Sequence, residues 1–297
     1  MKTNKLPLVA LLLLLALICG LALGARHFVE QKQAASLKNQ RIVVTTTALA
    51  EIFDKLEIPL VGVPKTANKL PARYQKVATV GGAMSPSVEK IASLKPTEVY
   101  AVSTLKDQYD QAFKKQKFNL TYLDLDSVSQ LKNSLTTLGA KYHRQKQAQA
   151  AVAEINHAIS RAKKKAHGKK HPKVLILMGL PGAGYMILTN KSYLGNLVQL
   201  AGGKNLYQSR SQIYLDPSNE QLANQNPDVI LRLAHALPNI TVPQFEAEFK
   251  QNPVWQHMDA VKNKRVYDLE QPTFNASANL EVPQALAKLG QYFYPGN

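Results

Sequence analysis

A short segment of this chain recurs 131 residues further on, and this repeat limits the folds that the sequence can adopt. Residues 86–92 read Pro-Ser-Val-Glu-Lys-Ile-Ala, and residues 217–223 read Pro-Ser-Asn-Glu-Gln-Leu-Ala. In each copy a second proline lies ten residues after the first and leads into a run typical of a β-strand. The repeat predicts two related lobes with Glu89 and Glu220 at matching places. The same similarity could arise in unrelated segments, because prolines often mark the boundaries between strands and helices. This alternative stays open.

Beyond residue 41, short β-branched runs alternate with helical segments, a pattern that predicts an α/β fold. No Gly or Pro interrupts residues 144–167, where apolar residues recur at helical spacing. A helix of this length spans roughly 30 Å, which is the width of a small domain. We therefore expect an N-terminal lobe over 41–142, a linking helix over 143–168 and a C-terminal lobe over 169–297. The predicted strands cover residues 41–46, 59–63, 98–102, 120–123, 173–178, 185–188, 228–233 and 265–269.

Residues 1–25 have the pattern of an export signal, with two lysines before about twenty almost uninterrupted apolar residues. Residues 26–40 lack apolar periodicity and are interpreted as a spacer. Cys19 followed by Gly20 suggests lipidation, although Ile18 stands where lipoprotein signals carry a small residue. Two other outcomes are possible for this segment: it could remain as an uncleaved membrane anchor, or it could be cleaved after Gly24 or Ala25. All three place the folded part outside the cytoplasmic membrane.

The chain carries 37 Lys and Arg against 20 Asp and Glu, a formal charge of +17, which favours anionic partners. Seven basic residues lie within 161–173 without an acidic or aromatic residue among them. The stacking rings that single-stranded nucleic acid requires are therefore missing, and we expect no nucleic-acid partner. A solvated helix end explains the run, and contact with anionic membrane or wall polymers is the alternative.

No catalytic motif is evident in the sequence, which contains neither GxSxG nor HExxH. The glycine-rich residues 179–184 follow a predicted strand but lack the Lys and Ser or Thr of a phosphate-binding loop, so they predict a turn. The only cysteine lies in the leader, which excludes an intramolecular disulfide and a cysteine metal site. We therefore expect a binding protein and not an enzyme.

Met84 and His235 are the candidate ligand residues. Met84 lies in a loop rich in Gly and Pro, so its side chain need not belong to a core. His235 follows a predicted strand, at the edge where α/β proteins place their ligand sites. Taken singly, each residue is more typical of packing or of a structural hydrogen bond. As a pair from two lobes they match a known axial set for haem iron. His257 is interpreted as a surface or packing residue.

Several longer segments are more specific than this general pattern. They are residues 41–45, 102–107, 171–179, 191–195, 226–232 and 261–270. Through these segments the chain resembles the IsdE-like haem-receptor lipoproteins, the substrate-binding proteins of Gram-positive haem ABC transporters, over almost all of residues 41–294. The resemblance implies two Rossmann-like lobes joined by one long helix, with the ligand cleft between them, as in class III substrate-binding proteins.

The resemblance also implies roles for individual residues. Haem would lie between Met84 and His235, and its propionates would lie near the backbone of Thr47 and Ala48, with Lys69 as a weaker charge contact. Further implied roles are permease docking by Glu89 and Glu220. The implied partners are an ABC permease with its ATPase, upstream haem donors at the cell surface, and the membrane through a lipid or an N-terminal helix. The protein would act as a monomer on the outer face of the cytoplasmic membrane.

Two other functions remain open at the level of sequence. The same scaffold could carry a ferric siderophore or cobalamin, although siderophore sites usually present Arg and Tyr where this chain offers Met and His. A basic cell-surface adhesin is the alternative from a different class, with residues 161–173 as its active feature.

Overall fold

The computed structural model of the protein describes residues 37, 39–114, 116, 118–234 and 237–296. Two α/β lobes joined by one long helix make up this part of the chain, so the predicted fold class is confirmed. All eight predicted strands are present, and the additional ones are two residues long. Cys19 and the rest of the leader lie outside the described residues. Within the described part, no helix has both the length and the apolar character needed to cross a bilayer.

The N-terminal lobe is built on a parallel sheet. Its strands are β1 (Ile42–Val44), β2 (Gly62–Val63), β3 (Ala78–Thr79), β4 (Gly81–Gly82), β5 (Ser85–Pro86), β6 (Glu98–Val102) and β7 (Leu120–Leu123). Five of them form the sheet in the order β3-β2-β1-β6-β7, whereas β4 and β5 form a separate hairpin. The central strands β1 and β6 are buried at every position because helices cover both faces. These helices are α1 (Thr47–Lys55), α2 (Val88–Ser93), α3 (Lys106–Phe113) and α4 (Val128–Lys141).

The linking helix α5 extends over Gln145–Ala166, within the predicted range. Its buried face consists mainly of alanines at helical spacing, which allow neighbouring helices to approach closely. A Cβ added at Gly139 of α4 would lie 2.5 Å from the Cβ of Ala148 of α5. Glycine at position 139 is therefore a steric requirement of the contact between α4 and α5.

The C-terminal lobe has a mixed sheet. Its strands are β8 (Lys173–Gly179), β9 (Tyr185–Leu188), β10 (Lys204–Asn205), β11 (Tyr214–Leu215), β12 (Val229–Ala234) and β13 (Val266–Leu269). Their order is β11-β9-β8-β12-β13, with β10 also paired to β8. Its helices are α6 (Tyr193–Leu200), α7 (Asn219–Ala223), α8 (Pro238–Gln251), α9 (Asp259–Lys262) and α10 (Val282–Phe293).

Residues 179–184 connect the antiparallel strands β8 and β9. The Leu180 N–H donates to the carbonyl of Gly184 at 2.8 Å, and Gly182 and Gly184 have positive φ angles. Glycine adopts this backbone without strain. Because the chain continues into a strand and not into a helix, these residues form a turn, as predicted.

The sequence repeat corresponds to matching elements in the two lobes. Strands β1 and β8 begin 131 residues apart, at Ile42 and Lys173, and β6 and β12 begin 131 residues apart, at Glu98 and Val229. In each lobe the two strands are parallel neighbours. The intervening helices α2 and α7 also occupy matching places in the chain.

Candidate ligand-binding cleft between the lobes

The candidate residues of the N-terminal lobe lie at one edge of its sheet, where the carboxyl ends of the parallel strands meet. Thr47 and Ala48 follow β1, Lys69 follows β2, and Met84 follows β3. In α/β proteins this edge is where ligands bind, because the connecting loops and the helix N-termini open there. The structure therefore brings these four candidates to one edge of the N-terminal sheet.

The corresponding edge of the C-terminal lobe lies against this one. The Asn68 side-chain amide, after β2, donates to the Gln271 side-chain oxygen, after β13, at 3.0 Å. The cleft is thus bounded by loops that follow the carboxyl ends of strands in both lobes.

Two further contacts join the lobes where β7 leads into α4. The Ala278 N–H donates to the carbonyl of Leu125 at 2.7 Å. The Val128 N–H donates to the side-chain oxygen of Asn196 at 3.0 Å. Together with α5, these hydrogen bonds connect the two lobes at more than one place.

Met84 lies at the turn between β4 and β5, so the expected irregular loop is a short hairpin. The Tyr109 hydroxyl donates to the carbonyl of Ala83 at 2.6 Å, and the Gln108 side-chain amide donates to the carbonyl of Met84. Both donors belong to α3, which therefore holds the turn in place. The Met84 side chain is 59% exposed, an unusual fraction for a large apolar residue. A thioether held on a fixed backbone and left open to solvent is suited to contact a ligand.

His235 lies outside the described residues, between the end of β12 and the start of α8. On its C-terminal side, Leu237 has a φ angle of 47° and precedes Pro238, the first residue of α8. A left-handed backbone is unfavourable for leucine and is typical of a constrained turn. Leu237 and Ile240 are 59% and 51% exposed. Sequence reasoning missed both residues, although apolar residues directly after a strand end were the available signal.

Met84, Leu237 and Ile240 are the large apolar side chains recorded as exposed in the described part of the chain. They lie at the carboxyl edges of the two lobes, which meet at the cleft. Exposed apolar residues in one region indicate a site for a ligand or a partner. The cleft edges thus combine apolar surface from both lobes.

A cavity of about 500 Å³ lies at the carboxyl edge of the C-terminal lobe, between α8 and the turn at 179–184. Its lining includes Tyr185, Met186 and Phe245, together with Asp216 and Glu248. Sequence reasoning did not identify this cavity, because its residues come from three separate segments of the chain. It adds volume beside the exposed start of α8.

Thr47 and Ala48 occupy the first turn of α1. Thr46 caps this helix, since its hydroxyl accepts a hydrogen bond from the N–H of Leu49 at 3.4 Å. The first N–H groups of a helix have no partner within the helix, and they favour anions. Lys69 is exposed and adjacent to Asn68, which makes the contact between the lobes. A basic side chain and a helix N-terminus are therefore both available at this edge.

Glu89 and Glu220 are exposed residues in the first turns of α2 and α7. The side chains of Ser87 and Ser218 cap these helices by accepting from the third N–H of each. The Ser87 hydroxyl also donates to the Glu89 carboxylate at 3.2 Å. The structure gives the two glutamates equivalent positions, one on each lobe.

Two half-buried carboxyl groups near the boundary of the lobes have raised pKa values. Burial, followed by the charge of Glu281, raises the pKa of Glu51 to about 7. Burial, followed by the neighbouring Asp124, raises the pKa of Asp126 to about 6. Sequence reasoning identified neither group, because burial and pairing arise only in the folded chain. The described residues contain no group of three or more His, Cys, Asp or Glu arranged to hold a metal ion.

The profile of the periplasmic binding protein family matches residues 42–273 of this chain. The chain is 43% identical over 255 residues to the high-affinity heme uptake system protein IsdE of Staphylococcus aureus strain Newman, which covers 86% of this chain and 87% of that protein. The crystal structure of S. aureus IsdE complexed with heme superposes with a TM-score of 0.83 at 43% identity, covering 86% of this chain and 99% of that one. An ABC transporter substrate-binding protein from Listeria monocytogenes EGD-e has a TM-score of 0.80 at 41% identity, covering 86% and 98%.

Proposed function

This chain belongs to the periplasmic binding protein family, and on that premise we propose that it is the extracytoplasmic haem-binding component of an ABC importer. It receives haem, holds it between its lobes and delivers it to a permease for iron acquisition. It is a carrier and not an enzyme. The single observation that carries the proposal is the exposed thioether of Met84, held at the cleft edge by α3.

We assign Met84 and His235 as the two axial ligands of the haem iron. A thioether is a soft, neutral ligand, whereas an imidazole is a stronger donor, and the two together occupy both axial positions. An iron with both positions filled offers no open site for oxygen. This coordination suits transport of an intact cargo.

The remaining parts of haem match other features of the cleft edge. Its propionates are anionic, and we place them near the N–H groups of Thr47 and Ala48, with Lys69 as a further charge contact. Its apolar macrocycle would lie against Leu237 and Ile240, which would lose their exposure to water on binding.

Delivery requires recognition by the permease. We propose that Glu89 and Glu220 form ion pairs with basic residues of the permease, one from each lobe. Their equivalent places on two capped helices support this assignment. The ATPase of the importer and haem donors at the cell surface complete the proposed set of partners, and the protein acts as a monomer.

The proposed organisation of the chain follows the sequence. Residues 1–25 form a signal or anchor and 26–40 a spacer, followed by the lobes over 41–142 and 169–297 with the linking helix over 143–168. Lipidation at Cys19 or an N-terminal helix would hold the protein on the outer face of the cytoplasmic membrane.

A titration with haemin tests the proposal. A chain that begins at residue 27 should bind one haem per molecule with a sharp, saturable Soret band. A ferric siderophore and cobalamin, offered as competitors, should leave that band unchanged. If the chain binds either competitor and shows no saturable Soret band with haemin, the scaffold carries a different chelate and the proposal is wrong.

A further inference from the structure

The C-terminal lobe carries a basic surface that the proposed cleft does not use. No Asp or Glu occurs between Glu154 and Asp216, whereas this stretch contains ten Lys and Arg. We define the basic end surface by residues that are exposed in the structure. They are Arg161, Lys163, Lys164, Lys170, Lys173 and Lys204.

The fold brings the basic end surface together from three elements. Arg161, Lys163 and Lys164 belong to the last turns of α5, and Lys170 follows that helix. Lys173 opens β8, and its register partner in the parallel strand β10 is Lys204. A Cβ added at Gly202, just before β10, would lie 2.5 Å from the Cβ of Ala166, so the end of the linking helix adjoins the starts of the two paired strands.

Acidic side chains do not neutralise this surface. The recorded ion pairs of the described residues involve none of its six cations. Asp228 lies close by, but its carboxylate accepts from the backbone N–H of Lys173 at 2.7 Å. The exposed Lys262 and Lys264 extend the positive charge towards β13. These side chains are exposed and therefore open to an anionic partner.

The position of the basic end surface distinguishes between possible partners. It lies at the amino ends of β8 and β10, whereas the cleft and Glu220 lie towards the carboxyl edge of the same sheet. The seven residues of β8 separate these two edges by about 20 Å. If the carboxyl edge faces the permease, a step that rests on the proposed function, the basic end surface faces away from the membrane.

We infer that the basic end surface binds a linear phosphodiester polymer outside the membrane and so retains the carrier near such a polymer while its cleft stays accessible. A polymer can follow a surface made of a helix end and two strand starts, and repeated phosphates match repeated lysines. Nucleic acid is a poorer match, because residues 161–173 contain no Phe, Tyr or Trp, the large rings on which single-stranded bases stack.

The probe for this inference is poly(glycerol phosphate), with vesicles of phosphatidylglycerol as the matched lipid source of the same chemistry. The full chain is carried in phosphatidylcholine nanodiscs, so its apolar N-terminal segment meets a lipid without net charge. The test variant changes Lys163, Lys164, Lys170 and Lys173 to Gln. The control variant changes Lys76, Lys95, Lys146 and Lys250 to Gln, which are exposed lysines elsewhere. Both variants lose the same net charge.

The wild-type chain and the control variant should bind the polymer, and binding should weaken steeply with salt. The test variant should bind at least about 10-fold more weakly, with a log-log salt slope lower by about 3, since four phosphate contacts are lost. Equal binding by the two variants would overturn the inference, because net charge alone would then explain it. Binding to the vesicles in preference to the polymer, lost in the test variant, would also overturn it and assign the surface to lipid.

Haemin titration of the same preparations, corrected with empty nanodiscs, keeps this inference distinct from the proposed function. The test variant should bind haem as the wild type does. Loss of haem binding by every chain would contradict the proposed function, whereas polymer binding that depends on the four lysines would still establish the surface. Normal haem binding together with polymer binding that does not depend on the four lysines would support the carrier function and reject the proposed role of the basic end surface.

Discussion

The two lobes share a core unit but differ at their ligand edges. In both, a parallel pair of strands encloses a short helix that is capped by serine and carries an exposed glutamate. The N-terminal sheet is entirely parallel, whereas β9 and β11 make the C-terminal sheet mixed. The N-terminal lobe presents Met84 on a hairpin, and the C-terminal lobe presents an exposed apolar helix start, which follows His235 in the chain.

The difference between the two ligand edges separates the features that we assign to docking from those that we assign to ligand binding. Equivalent helices on two lobes suit a partner that contacts both lobes in the same way. The ligand edges need not match, because the proposed Met–His pair takes a thioether from one lobe and an imidazole from the other. We therefore assign the equivalent helices to docking and the differing ligand edges to ligand binding.

The largest expected effect is the loss of haem binding when either proposed axial ligand is removed. His235→Ala should weaken haem binding by more than about 100-fold, and Met84→Ala by about 10-fold, because imidazole is the stronger donor. Competition with an apo-haem protein of known affinity measures both. His257→Ala, at an exposed residue outside the cleft edge, is the control and should bind as the wild type does. Equal and small losses in both ligand variants would contradict the assignment.

Removal of Glu89 and Glu220 tests whether the two lobes contribute equally to docking. Glu89→Ala and Glu220→Ala should each weaken docking by about 10-fold, equivalent to about 1.4 kcal/mol, and the double variant should weaken it further. Stimulation of the importer's ATPase in proteoliposomes measures docking, and haem affinity should not change. The exposed Glu246 provides the matched control, since Glu246→Ala should dock normally. A strong effect from one glutamate alone would show that the lobes dock unequally.

Glu51→Gln tests how the boundary between the lobes affects stability, because the Glu51 carboxyl of the first lobe lies near Glu281 of the second. The folded state holds the proton of Glu51 up to a pKa of about 7, and the unfolded state releases it near 4.5. The wild-type free energy of unfolding should therefore fall as pH rises from 4.5 to 7. The variant should be more stable above pH 7, by on the order of 2 kcal/mol, and equal below pH 4.5.

Denaturant titrations at pH 4.5 and pH 8 measure this difference. Glu281→Gln removes the second cause of the raised pKa, so it should lower the pKa of Glu51 and reduce the slope of stability with pH. An unchanged slope in Glu51→Gln would show that another group causes the pH dependence.

The smallest effect concerns the serine caps of the repeated helices. Ser87→Ala and Ser218→Ala should each lower the free energy of unfolding by about 1 kcal/mol, because one helix N–H loses its acceptor. Chemical denaturation measures both, and Ser→Asp at either position should restore most of the loss. A clear inequality between the two would mean that the caps are not equivalent.

Periodicity and the repeat were enough to predict the fold. The β-branched runs and the uninterrupted stretch before residue 168 depend on local sequence, so the eight main strands and α5 were predictable. The additional two-residue strands were not predictable, because they form where neighbouring segments happen to pair. The hairpin around Met84 is such a case, since its sequence indicates only a turn.

The site was predictable only in part. The Gly- and Pro-rich sequence around Met84 was sufficient to place it in a loop, whereas Thr47 and Lys69 were named only through the family resemblance, and the structure puts all three after strand ends. The hydrogen bond from Asn68 to Gln271 joins residues 203 positions apart, and no local pattern indicates it. The raised pKa of Glu51 likewise depends on burial and on a charge from the other lobe.

The most direct test of the central claim is the near-infrared magnetic circular dichroism of the ferric haem complex, where a bond from methionine sulfur to iron gives a charge-transfer band. The account predicts this band in the wild type and in His257→Ala, and its loss in Met84→Leu, which keeps the bulk of the side chain but removes the sulfur. A wild-type complex without the band, or a Met84→Leu complex that retains it, would contradict the claim that each lobe provides one axial ligand.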